Sequence, residues 1–514
     1  MSNDTRAYYS ALAAHDARFD GVFYVGVTST GIYCRPVCTA RTPKAANCRF
    51  FDSAESAEKA NFRPCLRCRP ELAPGNAPVD DAHRIASLIA QRIDEGALDA
   101  GAGIEQIAKQ FGWSSRQIRR MMQKELGVSP IELVMTRRLL LAKQLLTETT
   151  LPITEIAFAS GFASLRRFND AFGKRYGMAP TRFRKATESG TAPLASTSTF
   201  TLQLSYRPPF DWTRMLAFLS LRALRGVEAV RDDEYLRTIR LGDNTGWVRV
   251  HHAPDRRALL VEVTHSLTPA LPALLGRLRN LFDLSARPDV VASHFADDVM
   301  LAAAVARMPG LRVPGAFDGF ELAVRAVLGQ QVTVKGASTL GGRFAEAFGD
   351  AIETPHAELT RLSPTAARVA QASVDEIASL GIIAARAKSI IAIAQEVDAG
   401  RLALDAGADP TRTIEQLVSL PGIGQWTAHY IAMRALRWPD AFPKEDIALR
   451  KRMGGVTAAQ AETMSQAWRP WRSYATLYLW QSIVDCHSER SEESPIPPII
   501  AYGTLDPSSL RSSG

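Results

Sequence analysis

Long apolar runs are missing: nowhere do about 18 consecutive hydrophobic residues occur, the length that a membrane-crossing helix needs. The opening Met1-Ser2-Asn3-Asp4 lacks the charged-then-apolar order of a secretion signal, so the expected compartment is the cytoplasm, with no membrane partner. Cysteine is scarce. Six in 514 residues cannot build a disulfide framework, and clustered cysteines in a reducing compartment more often hold metal or do chemistry. Compositional bias is absent too: 46% hydrophobic, 22% charged and 8% aromatic is ordinary globular usage, which excludes a mainly disordered or fibrous chain. A single hydrophobic core does not serve 514 residues, so several domains are expected.

The net charge is +8 and the isoelectric point near 9.2, a balance that suits a polyanionic partner. Clustering says more. Between Arg166 and Lys185 stand Arg166, Arg167, Lys174, Arg175, Arg182, Arg184 and Lys185 against Asp170 alone, where a solvated helix face would mix signs. Two small, polar or Pro/Gly-rich runs, Glu71–Val79 and Ala186–Thr199, read as linkers, and the Ser-, Pro- and Glu-rich stretch from Cys486 onward reads as a disordered tail.

Between these linkers lies an internal repeat. Ile107-Ala108, Gly112-Trp113 and Ser115 return as Ile156-Ala157, Gly161-Phe162 and Ser164; Ile118, Met122 and Gly127-Val128-Ser129-Pro130 return as Phe168, Phe172 and Gly177-Met178-Ala179-Pro180. Each copy reads as helix, glycine turn, amphipathic helix, which is a helix-turn-helix. The second helices offer Arg116, Gln117, Arg119 and Arg120 in one copy and Arg166, Arg167 and Asn169 in the other, side chains with the fork geometry that reads G or A edges. One such unit alone could be a plain helical hairpin; two in tandem argue for DNA. The block resembles the AraC/XylS regulator DNA-binding domain, which implies two recognition helices held by one long helix, about Ile131 to Leu146, on successive major grooves.

Cys34-x3-Cys38 and Cys65-x2-Cys68 form two close pairs 26 residues apart, the arrangement of a four-thiolate zinc site. Cys48 lies outside both pairs and reads as a core or surface residue. The runs Gly31-Ile32-Tyr33-Cys34-Arg35-Pro36-x-Cys38 and Phe62-Arg63-Pro64-Cys65-x-x-Cys68 are similar to the N-terminal domain of the Ada methylphosphotriester repair proteins. That resemblance implies that Cys34 is both zinc ligand and single-turnover methyl acceptor. Accepting a methyl group turns an anionic ligand into a neutral thioether, and loss of negative charge favours binding to phosphates. The alternative is a zinc knob that only stabilises a small domain.

Residues 199–290 alternate as strands (Phe200–Tyr206, Tyr235–Leu241, Gly246–His252, Ala258–Thr264) and helices (Trp212–Arg225, Leu267–Leu284), a small α+β module. Beyond it the pattern is helical, and Leu420-Pro421-Gly422-Ile423-Gly424-Gln425-Trp426-Thr427 reads as a hairpin whose amides converge at a helix N-terminus. Asp446 follows 22 residues after Gly424. With the runs around Trp426 and from Trp468 to Tyr474, this half resembles the helix-hairpin-helix glycosylases, and AlkA, the alkylated-base glycosylase, in particular. The resemblance implies Asp446 as the catalytic carboxylate, and Trp426, Tyr430 and Trp480 as the lining of a pocket for an extruded 3-methyladenine-type base. It also implies Gly422, Gly424 and Thr427 at the DNA backbone, and Gln331 in the gap that the base leaves. Trp426 stands where strand-cutting relatives carry the Schiff-base lysine, so base removal alone is expected. Lys444 reads as a solvated loop residue, and Trp468 and Trp471 as core. Too few cysteines follow for an iron–sulfur cluster. No Pro-Cys-His-Arg occurs, so no second methyl acceptor is expected.

The expected organisation is a multidomain, mainly α chain. It comprises a zinc methyl-acceptor domain (1–75), a tandem helix-turn-helix (80–187), a TBP-like α+β module (199–290), a helix-hairpin-helix glycosylase (291–485) and a tail (486–514). The implied function is an alkylation-damage response on double-stranded DNA, both alkylated DNA and a promoter operator, with RNA polymerase a further partner. The alternative is a regulator whose glycosylase half is only a DNA-binding scaffold.

Overall fold

The computed structural model describes residues 3–15, 23–51, 54–70, 78–94, 96, 98, 103–187 and 198–488. Most of both expected linkers, and the tail past 488, lie outside these residues. The chain divides into two compact units, residues 1–90 with 103–132 and residues 91–102 with 133–514, so the 80–187 block is shared between them. No described helix is long and apolar enough to cross a membrane.

The first unit opens with α1 (Asn3–Ala13), β1 (Tyr24–Val27), β2 (Ile32–Cys34), β3 (Cys48–Phe51), α2 (Ala54–Lys59) and β4 (Arg63–Pro64). The sheet order is β3-β1-β2-β4, antiparallel except that β4 runs parallel to β2. Pairing of Tyr33 with Pro64 places Cys34 and Cys65 side by side as the two strands end. Phe23 and Val25 pack beneath α1, while Tyr24 and Tyr33 face Ala57 and Phe62 on the other side, as strand alternation requires.

Next come α3 (Pro78–Asp94), α4 (Ile104–Gln110) and α5 (Ser115–Leu126), then α6 (Pro130–Glu148), α7 (Ile153–Ala159), α8 (Leu165–Tyr176) and α9 (Pro180–Thr187); the division between units falls inside α3 and α6. The repeat explains the stops. Gly127 and Gly177 end α5 and α8 in the left-handed region, at φ 73° and 70°, and Pro130 and Pro180 open the helices that follow.

In the second unit β5 (Thr199–Ser205), α10 (Trp212–Ser220), β6 (Glu228–Arg231), β7 (Glu234–Leu241), β8 (Asn244–Ala253), β9 (Ala258–Thr264) and α11 (Leu271–Leu281) form a five-stranded sheet, order β5-β9-β8-β7-β6, with its helices. Three expectations change here. β6 is an additional strand, too short at four residues to show alternation, joined to β7 by a turn with Asp232 and Asp233 at positive φ. α10 stops at Ser220 rather than Arg225. The helix expected from Leu267 begins as a 3₁₀ stretch, His265–Ala270, and turns α-helical only at Leu271, because Pro269 and Pro272 interrupt the donors.

The helical remainder runs α12 (Pro288–His294), α13 (Ala302–Arg307), α14 (Gly319–Leu328), α15 (Val334–Phe348), α16 (Ala366–Ala370), α17 (Val374–Ala378), α18 (Ala384–Asp398), α19 (Pro410–Val418), α20 (Gln425–Arg434), α21 (Ile447–Arg452), α22 (Ala458–Met464) and α23 (Arg472–Ser488). Buried over most of its length, α14 packs against α15, α18 and α20. α23 continues to Ser488, past the expected break at Cys486, since proline first appears only at Pro495. As expected, Trp468 is buried, donating to Asp298, and Trp471 packs on the core.

Candidate functional site

The four sulfurs of Cys34, Cys38, Cys65 and Cys68 lie within 4.8 Å of one another. Tetrahedral zinc with bonds of about 2.3 Å sets sulfurs about 3.8 Å apart, so the donor set fits with small adjustments. Taken alone, four crowded thiols cannot all ionise. Hydrogen bonding to Cys38 and Cys68, with burial, pushes Cys34 well above the usual thiol range, while Cys38, hydrogen-bonded by Cys34, is pulled down to about 2. A divalent cation resolves the conflict by taking every sulfur as thiolate. Cys34 is half-buried; the other three are buried. Cys48 stands apart, its sulfur near the Lys44 carbonyl. Arg35 is fully buried beside the cluster: its backbone N–H donates to Cys68 Sγ at 3.5 Å and its guanidinium to the Cys68 carbonyl at 3.4 Å. That cation offsets part of a tetrathiolate's charge, a role that adjacency to Cys34 could have signalled.

On α5, Arg116, Gln117, Arg119 and Arg120 are exposed, as are Arg166, Arg167 and Asn169 on α8. Gln117 has a second task. Its Oε1 accepts from the Ser114 N–H at 2.8 Å in a capping box, so only its amide NH₂ remains to meet a base.

The hairpin between α19 and α20 turns at Gly422, whose φ is 73° and where a Cβ would come within 2.3 Å of Ser389 Oγ. Gly424 precedes α20 with open space around it. Thr427 is buried, and its hydroxyl accepts from Gln330 Nε2 at 3.1 Å. Gln330, overlooked in the sequence, also donates to the Gly422 carbonyl at 3.1 Å and is held by Arg386. Gln331 next to it is exposed, in left-handed backbone at φ 54°.

Asp446 sits at the lip of a cleft of about 110 Å³ lined by Trp426, Tyr430, Trp480, Arg222, Arg325 and Arg434. It caps α21 by accepting from the Leu449 N–H at 2.7 Å, and it also accepts indole N–H bonds from Trp426 at 2.8 Å and Trp480 at 3.3 Å. Trp426 and Tyr430 stack at 5.3 Å, 9° from parallel. Arg434 donates to the Tyr430 hydroxyl at 2.8 Å. Burial raises the Tyr430 phenol, but the charges of Arg434 and Arg222 outweigh it and hold the group below its ordinary value. Lys444 stays outside the cleft, paired with Glu462 at 3.6 Å.

Four family profiles match in series: "Metal binding domain of Ada" over residues 7–71, "Helix-turn-helix domain" over 107–186, "AlkA N-terminal domain" over 201–318 and "HhH-GPD superfamily base excision DNA repair protein" over 324–473. The probable bifunctional transcriptional activator/DNA repair enzyme AlkA of Mycobacterium tuberculosis is 39% identical over 490 residues, 94% of this chain and 97% of the relative. The chain belongs to that family. It is thus an AlkA-type DNA glycosylase half joined to an Ada-type metal-binding domain and a helix-turn-helix, and its partner is DNA. DNA-3-methyladenine glycosylase 2 of Escherichia coli is 35% identical over 54% of this chain and 95% of its own length. The bifunctional transcriptional activator/DNA repair enzyme AdaA of Bacillus subtilis is 34% identical over 37% and 88%. The AlkA N-terminal match runs past residue 290 and takes in α12 and α13.

The cleft contains three arginines that no sequence motif marks. Arg222 lies where α10 has ended, Arg325 on α14 and Arg434 one turn after Tyr430. Arg325 is anchored in a buried quartet with Arg237, Glu228 and Glu321, in which it reaches both carboxylates at 2.5 Å. Sequence spacing carries no trace of a pocket gathered from such separated positions.

Proposed function

We propose that this protein excises alkylated bases through Asp446 and accepts methyl groups from DNA phosphotriesters at Cys34, the methylated form being the active regulator. What carries the first part is the pair of indole donors on Asp446 above a stacked aromatic wall. A base turned out of the duplex lies against Trp426 and Tyr430, and the carboxylate faces the sugar, stabilising the positive charge that grows there as the glycosidic bond breaks. Gly422 and Gly424 hold the DNA backbone and Gln331 fills the vacated stack. With Trp426 where a Schiff-base lysine would stand and Lys444 tied to Glu462, the reaction ends at base removal.

Zinc, when bound, keeps the four sulfurs free of protons. Cys34, the most accessible of them, attacks the methyl carbon of a phosphotriester: the S–C bond forms, the C–O bond breaks, and the phosphate leaves as an ordinary diester anion. The thioether does not turn over. One negative charge is lost beside DNA, which strengthens the hold of Arg116, Gln117, Arg166 and Arg167 on a promoter operator and so the recruitment of RNA polymerase. These partners place the protein in the cytoplasm.

Release of base from alkylated duplex DNA by the full chain, beside Asp446→Asn, tests the reading. Activity no greater than that of the variant would leave the glycosylase half a DNA-binding scaffold. An unmodified Cys34 after incubation with methylphosphotriester DNA would leave the zinc domain purely structural.

A further inference from the structure

β5 is an outer strand of its sheet: β9 pairs with one side, and among the described residues no strand pairs with the other. In an antiparallel pair, alternate residues turn both N–H and C=O away from the neighbour. Gln203, opposite Leu260, turns both outward, where an open edge normally offers them to water or to another chain. Helix α6 takes both. Glu148 Oε2 accepts from the Gln203 N–H at 2.9 Å, and Gln144 Nε2 donates to the Gln203 carbonyl at 2.7 Å. Gln144 and Glu148, one helical turn apart, are themselves joined at 2.9 Å, so the two side chains imitate one residue of a partner strand.

Apolar packing backs the polar grip. Leu145 and Leu146 of α6 and Ile156 of α7 belong to the same contiguous buried cluster as Leu202 and Leu204 of β5 and Leu267 beyond β9. The polar run at Ala186–Thr199 reads as a tether between regulator and glycosylase; the contacts of α6 with β5 do not depend on it.

We propose that α6–α8 dock on the open sheet edge as a built interface, so that the second helix-turn-helix and the glycosylase move as one DNA-engaging body. A duplex held by Arg166 and Arg167 on α8 then fixes where the glycosylase can reach DNA. The role of α8 as a DNA reader rests on the function proposed above; the docking does not.

Hydrogen exchange of the full chain, resolved at the Gln203 amide, tests it together with calorimetry. In the double variant Gln144→Ala, Glu148→Ala this amide should exchange roughly tenfold faster or more, as loss of a charge-assisted hydrogen bond implies. Residues 153–187 should then melt apart from the glycosylase, with excision from a short alkylated duplex unchanged. Glu148→Gln keeps an acceptor and should keep most of the protection, which separates the grip from misfolding. Equal Gln203 exchange in parent and double variant, or separate melting already in the parent, would overturn the proposal. Loss of excision in the parent would instead count only against the glycosylase reading.

Discussion

The indole N–H of Trp426 donates to Asp446 at 2.8 Å while its ring lies 5.3 Å from that of Tyr430, nearly parallel. One side chain therefore aims the carboxylate and forms the wall against which a base would rest. Trp426→Phe keeps the wall and loses the donor. Single-turnover base release should fall about tenfold, the worth of one hydrogen bond to a charged group. Asp446→Asn should cost about a hundredfold to a thousandfold. An unchanged rate in Trp426→Phe would show that the aromatic face, not the aim, is what Trp426 supplies.

Arg222 and Arg434 bring positive charge to the cleft, and among the described residues no carboxylate is bonded to either. They oppose a cationic base and favour a neutral one with carbonyl acceptors. Arg222→Ala should raise the excision of a cationic N-methylpurine relative to a neutral purine by roughly tenfold, read from competition between two labelled duplexes. An unchanged ratio would remove Arg222 from base selection.

Acid should weaken the second unit at a definable place. Burial pushes the Glu321 carboxyl up, but Arg237 and Arg325 outweigh it and hold the group at about 2, below its ordinary 4.5. A depressed carboxyl contributes stability above its unfolded value and loses it as pH falls, here between about 4.5 and 2. Thermal unfolding across that window should show the loss. At neutral pH Glu228→Ala should cost about 3–5 kcal/mol, since Arg237 and Arg325 would then share a single buried carboxylate.

Metal content and thiol labelling examine the cluster. One zinc per chain is expected, and Cys68→Ser should lose it together with the folded signal of residues 23–70. On the zinc-loaded protein, iodoacetamide should modify Cys34 before Cys38, Cys65 or Cys68, whose exposures are 4%, 9% and 0%. Mass spectrometry finding Cys68 modified first would displace Cys34 as the acceptor.

Among the helix-turn-helix residues, Arg167→Ala should weaken operator binding and lower its salt dependence by about one counterion if the contact is to phosphate. Gln117→Ala should also shorten or fray α5, since its Oε1 caps the helix, so circular dichroism should change only in this second variant.

What was legible in the sequence was local. Two cysteine pairs, a repeat ending twice in Gly-x-x-Pro, and a Pro-Gly-Ile-Gly hairpin each sit within a few residues of chain, so spacing alone exposes them. Asp446 needed the hairpin as context, because an aspartate that caps α21 looks like any other helix cap. The parallel pairing of β2 with β4, which seats Cys34 beside Cys65, is long-range and left no mark. Neither did Arg222 and Arg325, which line one cleft with Trp480 although they lie far from it along the chain. Gln331 was visible beside the turn, but nothing in the spacing marked its neighbour Gln330, whose amide joins Gly422 to Thr427. Pro269 and Pro272 were plain to read, yet the apolar periodicity around them suggested an unbroken helix.

The cover that α6 gives to β5 bears on solubility. A fragment beginning at Thr199 would bare the Gln203 amide and carbonyl along a straight, mostly uncharged margin, and a second copy could add its own margin there. Cutting the regulator away should thus make the remainder prone to self-association at high concentration. In the intact chain, a helix of the regulator block thus also serves as a guard against clumping.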